Sequence, residues 1–185
     1  MTVSQAYPVE TFSNEQLEAQ GLPTLAALAL TDISPRYRIV NISLALFITV
    51  LLCAVVVVLR LQPFFMLPDP LLSKFPFVLA GIIALGSGWV IYHLLADVRI
   101  KYSVREQDLN LQSGLVFQTL ACQPILRVQH VEIKRGPLAR LAGLASLQVF
   151  SAGGALHTFE IPGLPVERAQ QLRQFVLDHK ALSAK

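Results

Sequence analysis

The sequence has few cysteines and lacks a secretory signal. Only two cysteines occur among 185 residues, Cys53 and Cys122. A secreted domain that relied on disulfides would use more of them, so we expect the C-terminal part of the chain to lie in a reducing compartment. The N-terminus also lacks the basic start and short apolar core of a signal peptide. We therefore expect no such cleavage.

Motifs that carry chemistry are absent as well. Neither G-x-G-x-x-G nor G-x-x-x-x-G-K-[ST] occurs, so no phosphate-binding loop is predicted. Histidines and cysteines are scattered singly, without metal-ligand spacing. Ser87 lies in an apolar segment that lacks the strand-turn-helix setting of a nucleophile elbow. The sequence thus predicts no catalytic residue, metal or cofactor, and we expect a protein that is not an enzyme.

Charge is missing from two segments that are long enough to cross a membrane. Residues 39–59 and 75–95 contain no Asp, Glu, Lys or Arg. Each covers about 30 Å as a helix, the thickness of a hydrocarbon core. A buried core helix is the alternative, but such helices seldom run past about 14 uniformly apolar residues. The sequence predicts a transmembrane hairpin over residues 33–98, preceded by a flexible leader at residues 1–32.

Basic residues flank the predicted hairpin unequally. Arg60 and Lys74 border the connection between the spans. Five bases border the opposite ends of the spans, namely Arg36, Arg38, Arg99, Lys101 and Arg105. Because Lys and Arg are retained on the cytoplasmic side of membranes, we expect both termini in the cytoplasm.

The second predicted span carries small residues along one face. Gly81, Ala84 and Gly88 are three and four positions apart, which allows a second helix to approach closely. We expect this seam to pack against the first span, with a partner helix as the alternative. His93 lies about one turn from Asp97 near the end of the span, and we interpret it as an interfacial histidine rather than a proton relay.

From residue 99 onward apolar residues alternate with a period of two, which is typical of strands. A predicted hairpin comes first, and Gly114 and Gly153–Gly154 mark later turns. The apolar parity changes between Val128 and Val131, so we predict a bulge near Gln129 and His130. GPLARLAGL, from Gly136 onward, is interpreted as a compact turn.

Residues 165–180 are predicted to form a single amphipathic helix. Their apolar side chains recur at helical spacing, at Val166, Ala169, Leu172 and Val176. Residues 99–180 as a whole contain six or seven short strands followed by this helix. That order predicts a small antiparallel sandwich or partly open barrel that the helix closes.

The predicted β domain is the basic part of the chain. Residues 99–185 contain eleven bases and six acids, a net charge of +5. Four bases lie in and just after one predicted strand, at Arg127, Lys134, Arg135 and Arg140. Each base near an anionic leaflet gains about 1 kcal/mol, so these four form a candidate face for a lipid headgroup or a partner. An ordinary solvated rim is the alternative. Nucleic acid is not expected, because no aromatic platform accompanies the bases.

The run RVQHVEIKRGPLARLAGLASLQVFSAGG, followed by FEIPGL and a helix, resembles the bacterial pleckstrin-homology-like membrane proteins of the YdbS type. The similarity extends to SPRYR before the first span and covers roughly residues 33–178. It implies a PH-like fold at the cytoplasmic face of the bacterial inner membrane, without catalytic residues. Family members commonly accompany a larger protein with several such domains. We expect a module that docks such a partner or a second copy; the alternative is recognition of anionic lipid headgroups.

Overall fold

The computed structural model describes residues 29–62, 68–151 and 158–183, with only the backbone at residues 69–72 and 181–183. Most of the predicted leader and the turn predicted at Gly153–Gly154 lie outside these residues. In chain order, a two-residue strand precedes two long helices. Six further strands and a C-terminal helix follow, with one short helix between two of the strands.

Two helices form the predicted hairpin. Helix α1 spans Pro35–Leu61 and α2 spans Asp69–Ala96, and each has a proline in its first turn, where the missing amide costs nothing. Both pass the length and hydropathy criteria for a membrane span. Their apolar side chains point outward: Phe47 is 64% exposed and Leu85 is 79% exposed. A surface of this size and polarity needs lipid around it.

The hairpin is held by a contact that the sequence analysis did not predict. Gly86 is buried, and its backbone touches the side chain of Thr49 so closely that a Cβ there would clash. By contrast, the predicted seam of Gly81, Ala84 and Gly88 is exposed, and the two glycines have open space where a side chain would begin. The expectation that this seam packs against the first span is therefore wrong.

Two antiparallel sheets make up the β domain. The first has the order β1-β2-β3-β4 and the second has the order β5-β6-β7. Their strands are β1 Thr31–Asp32, β2 Lys101–Val104, β3 Asp108–Ser113, β4 Thr119–Pro124, β5 Val128–Lys134, β6 Leu144–Ser151 and β7 Thr158–Pro165. The segment predicted as a compact turn contains a short helix, α3, at Pro137–Leu141, and α4 occupies Val166–Ser183. The predicted fold class is confirmed.

The core lies between the sheets and is covered by α4. Side chains with no exposed surface come from both sheets, among them Leu109, Leu147 and Ile161. Ala169, Leu172 and Val176 of α4 join them, which confirms the apolar face predicted for this helix. The predicted bulge is present too, because the pairing of β5 with β6 shifts register between Val128 and His130. That shift lets Val128 and Val131 both face the core.

The segment just before α1 joins the hairpin to both sheets. Residues 31 and 32, assigned to the leader from sequence, pair with β2 as strand β1. The Ser34 amide donates to the Gly163 carbonyl of β7 at 3.0 Å. Gly163 has a φ of +66°, and a Cβ there would lie 2.7 Å from Tyr37 of α1, so only glycine fits without strain. The hairpin is thus fastened to the domain at its first turn.

Candidate functional site

Asp97 forms the centre of a polar cluster where α2 meets the β domain. Its side chain is 6% exposed, and its Oδ2 accepts a hydrogen bond from Asn41 Nδ2 of α1 at 2.9 Å. His93 Nδ1 lies 3.1 Å from the same oxygen. The cluster provides hydrogen-bond partners for a buried carboxyl group and ties the two spans together.

Trp89 satisfies the other nitrogen of His93. The indole Nε1 donates to His93 Nε2 at 3.0 Å. Indole has no acceptor, so Nε2 must be free of hydrogen. The two bonds together assign the tautomer in which Nδ1 donates to Asp97 and Nε2 accepts from Trp89. His93 therefore links Trp89 to Asp97 at the end of the hairpin. Its bond to Asp97 and the link to Asn41 were not predicted from the sequence.

A pocket of about 310 Å³ adjoins this cluster between β1, the start of α1 and the end of α2. Asp32, Arg38 and Asp97 contribute charges of both signs to its wall. Within the described part of the chain, no group of three or more His, Cys, Asp or Glu side chains is placed to hold a metal ion. The pocket is a polar cleft at the joint between hairpin and domain.

Helix α3 lies beside the first turns of α1. The two helices enclose a groove of about 630 Å³, lined on α1 by residues from Ile39 to Phe47 and on the other side by Leu138, Leu141 and Ala142. Leu138 is 44% exposed and Leu141 is 86% exposed. The α1 wall belongs to a candidate membrane span, so α3 lies beside the start of that span and leaves two leucines exposed there.

The four bases of the predicted face do not lie together. Lys134 ends β5, Arg135 follows it one residue before the cap of α3, and Arg140 is part of α3. Arg127 stands at the other end of β5, roughly 20 Å away at about 3.3 Å per strand residue. Arg135 Nε donates to the Leu144 carbonyl at 3.3 Å. The structure thus gathers three of the predicted bases around α3 and separates the fourth.

A second apolar projection lies at the end of α2. Val116 is 81% exposed and Phe117 is 86% exposed, in the loop between β3 and β4. Arg99 Nη1 donates to the Leu115 carbonyl at 2.7 Å, which holds this loop beside the last turn of the span. This loop was not predicted from the sequence. Its signal is the apolar run Leu115–Phe117 directly after the turn glycine Gly114.

Arg36 is a further residue that the sequence analysis assigned only to membrane orientation. Its guanidinium reaches the end of α3, where Nη1 lies 3.7 Å from the position that a Cβ on Gly143 would occupy. Arg36 also shares a helix face with Val40, Ser43 and Phe47, at spacings of three and four. That spacing, extended one turn before the span, is the signal that could have identified it.

Cys122 is unsuited to nucleophilic chemistry. Partial burial raises the pKa of its thiol, and the hydrogen bond from Sγ to Asp108 Oδ2 at 3.5 Å acts in the same direction. The negative charge of Asp108 also opposes ionisation. A thiol with a raised pKa is a weak nucleophile at neutral pH, because the thiolate is the reactive form.

Comparison with known proteins connects the hairpin and the β domain to one family. The family described as "Bacterial PH domain" matches residues 22–180. The UPF0699 transmembrane protein YdbS of Bacillus subtilis (strain 168) is 32% identical over 109 residues, or 55% of this chain and 65% of that protein. The chain thus covers less than two thirds of this relative. Neither description includes a catalytic activity, and no solved structure matches. Since the family match includes both spans and the domain they carry, the chain is a membrane protein of the bacterial PH domain family.

Proposed function

We propose that this protein is a non-enzymatic interaction module that assembles with a partner membrane protein at the inner face of the bacterial cytoplasmic membrane. The observation that carries this proposal is the outward position of Gly81, Ala84 and Gly88 on α2. Small residues on a lipid-facing surface let another helix approach to backbone contact, where van der Waals packing is strongest. The hairpin uses Gly86 for its internal contact, so the exposed face is available to a second helix.

The partner is proposed to be a larger membrane protein with PH-like domains, or a second copy of this chain. Family resemblance supports the first, since members of this type commonly accompany such a protein. The face on α2 lies opposite the side that contacts α1: at about 100° per residue, Gly81, Ala84 and Gly88 point roughly 140° to 160° away from Gly86. An incoming helix would therefore not disturb the contact between Gly86 and Thr49.

A cytoplasmic position of both termini is part of the proposal. It rests on the excess of bases at the domain end of the hairpin over the loop end. The arrangement of the chain supports it, because the start of α1 and the end of α2 both join the β domain, through the Ser34 amide and the Asp97 cluster. The basic domain then faces the inner leaflet.

The test is the state of association of the full-length chain. Tagged protein at native expression level, solubilised in mild detergent, is expected to be retained in a complex with a partner membrane protein or a second copy. Gly81→Leu together with Gly88→Leu should reduce that retention about tenfold or more, equivalent to about 1.4 kcal/mol. Ser87→Leu is the matched control, because Ser87 is exposed on the same helix outside the small-residue face. A wild-type chain that is repeatedly recovered alone and monomeric would refute the proposal.

Anionic-lipid recognition is a second candidate function, favoured by the position of Lys134, Arg135 and Arg140 around α3. Bases near α3 would be attracted to an anionic leaflet. Arg127, at the far end of β5, is farther from them than a Debye length of about 8 Å, so it would add little to the same attraction. The difference between these three bases and Arg127 can be tested with the full chain in nanodiscs that contain anionic lipid. Replacing Lys134 and Arg140 by Ala should weaken the contact of the domain with anionic lipid more than replacing Arg127.

A further inference from the structure

One face of α1 changes from basic to apolar along its length. Val40, Ser43 and Phe47 line the groove against α3, and Arg36 continues the same face one turn nearer the β domain. From Arg36 to Phe47 the face covers about 16 Å at 1.5 Å per residue. A cation at the membrane surface followed by an apolar channel that descends along a span matches the order of groups in a phospholipid.

The opposite wall of the groove comes from α3. Leu138, Leu141 and Ala142 face the span, and the guanidinium of Arg36 lies against Gly143 at the end of this helix. Arg140 adds a second positive charge on the adjacent side of α3. Across the described ranges of the chain, neither Arg36 nor Arg140 donates a side-chain hydrogen bond or forms an ion pair, so both charges are available to an anion.

We propose that this groove binds one anionic glycerophospholipid, with an acyl chain between α1 and α3 and its phosphate on Arg36. The volume of about 630 Å³ lies within the range of about 300–1,000 Å³ that is typical of small-molecule sites. Arginine is suited to the phosphate because its planar group donates two parallel hydrogen bonds. The positive end of the α1 dipole supports the same charge. This site is separate from the partner face on α2.

The bound lipid would bridge the span and the β domain. Residues on either side of the groove belong to different parts of the fold, α1 and the connection from β5 to β6. A lipid that contacts both would fix how the domain sits on the membrane. The site would also distinguish lipids by headgroup charge, since the apolar part of the groove is indifferent to the headgroup.

Binding can be measured on the full-length chain by native mass spectrometry. Delipidated protein in detergent is titrated with phosphatidylglycerol or with phosphatidylcholine of the same acyl chains. We expect one tightly held phosphatidylglycerol, and at least about tenfold weaker binding of phosphatidylcholine. Arg36→Gln should weaken phosphatidylglycerol binding at least about tenfold, because it removes the positive charge and one of the two hydrogen bonds, and Arg36→Lys should restore part of the binding. Both lipids carry the phosphate, so equal binding of the two would overturn the preference for an anionic headgroup. No effect of Arg36→Gln would overturn the assignment of the phosphate to Arg36.

The apolar part of the site is tested by filling it. Ser43→Trp places a large side chain at an exposed position in the groove and should abolish tight binding of phosphatidylglycerol. Leu85→Trp is the control, because Leu85 is 79% exposed on the other helix. Wild-type binding in Ser43→Trp, or a crosslink from Ser43→Cys to another polypeptide in place of lipid, would overturn the acyl-chain assignment. Gly81→Leu with Gly88→Leu should leave lipid binding unchanged, so the two proposals fail independently.

Discussion

The hairpin and the β domain contain similar apolar residues and use them in opposite ways. In the domain, Leu147 and Ile161 have no exposed surface, whereas in the hairpin Phe47 and Leu85 are mostly exposed. In α1, a helix of 27 residues, the one residue that is buried is Ala45. The domain is therefore stabilised by removing apolar surface from water. The hairpin is stabilised by lipid around it and by a few close contacts within it.

The largest expected effect comes from the same truncation made in the two regions. Leu147→Ala should lower the free energy of unfolding of the β domain by about 2–5 kcal/mol, because it removes buried methyl groups and leaves a cavity. Leu85→Ala should change it by less than about 0.5 kcal/mol. Denaturation of the full chain in nanodiscs, followed by hydrogen exchange in β6, measures both. Similar losses for the two variants would contradict this distinction.

An intermediate effect is expected at the polar cluster that joins the two regions. Asp97→Ala leaves Asn41 Nδ2 and His93 Nδ1 without an acceptor at a buried site, and each lost partner costs about 1–3 kcal/mol. We expect faster hydrogen exchange in the last turn of α2 and in β2, with β6 unaffected. Asp97→Asn is the control, because its oxygen can still accept from both groups and its loss should be smaller. Equal losses for the two variants would show that the charge itself is what matters.

Sequence patterns predicted the elements better than their mutual placement. The spans follow from the absence of charge, the bulge from the parity of Val128 and Val131, and the closing helix from its apolar spacing. These are local periodicities, and the backbone geometry of a helix or a strand puts residues of such a period on one side of that element. Strand β1 has two residues and therefore no period to detect. Its existence depends on β2, which follows some 70 residues later in the sequence.

The candidate site depends on how the helices and strands lie relative to one another. That is why it was predicted only in part. Spacing identified the face of Gly81, Ala84 and Gly88 but not its direction, which is set by the contact of Gly86 with Thr49. Nearness in sequence grouped Arg127 with Lys134, although a strand of seven residues separates them in space. The groove requires α3 to lie beside α1, and no pattern within either helix encodes that contact.

The smallest expected effect on stability concerns the loop between β3 and β4, which exposes apolar side chains beside the end of α2. Phe117 is exposed beside the end of α2, so its replacement should change the free energy of unfolding by less than about 0.5 kcal/mol. Its position relative to the bilayer is the informative quantity. A spin label on Phe117→Cys, in a chain with Cys53 and Cys122 replaced by Ala, should be accessible to oxygen dissolved in lipid and protected from a water-soluble relaxation agent.

The matched control for this label is Arg127→Cys, at the end of β5 farthest from α3. It should show the reverse pattern, high access to the water-soluble agent and low access to oxygen in lipid. Together the two labels determine which end of the β domain faces the bilayer. If Phe117→Cys resembled Arg127→Cys, the loop would be an ordinary solvated turn. The apolar contact of the domain with the membrane would then be confined to Leu138 and Leu141 of α3, and the orientation of the domain would depend on one contact beside α1 instead of two.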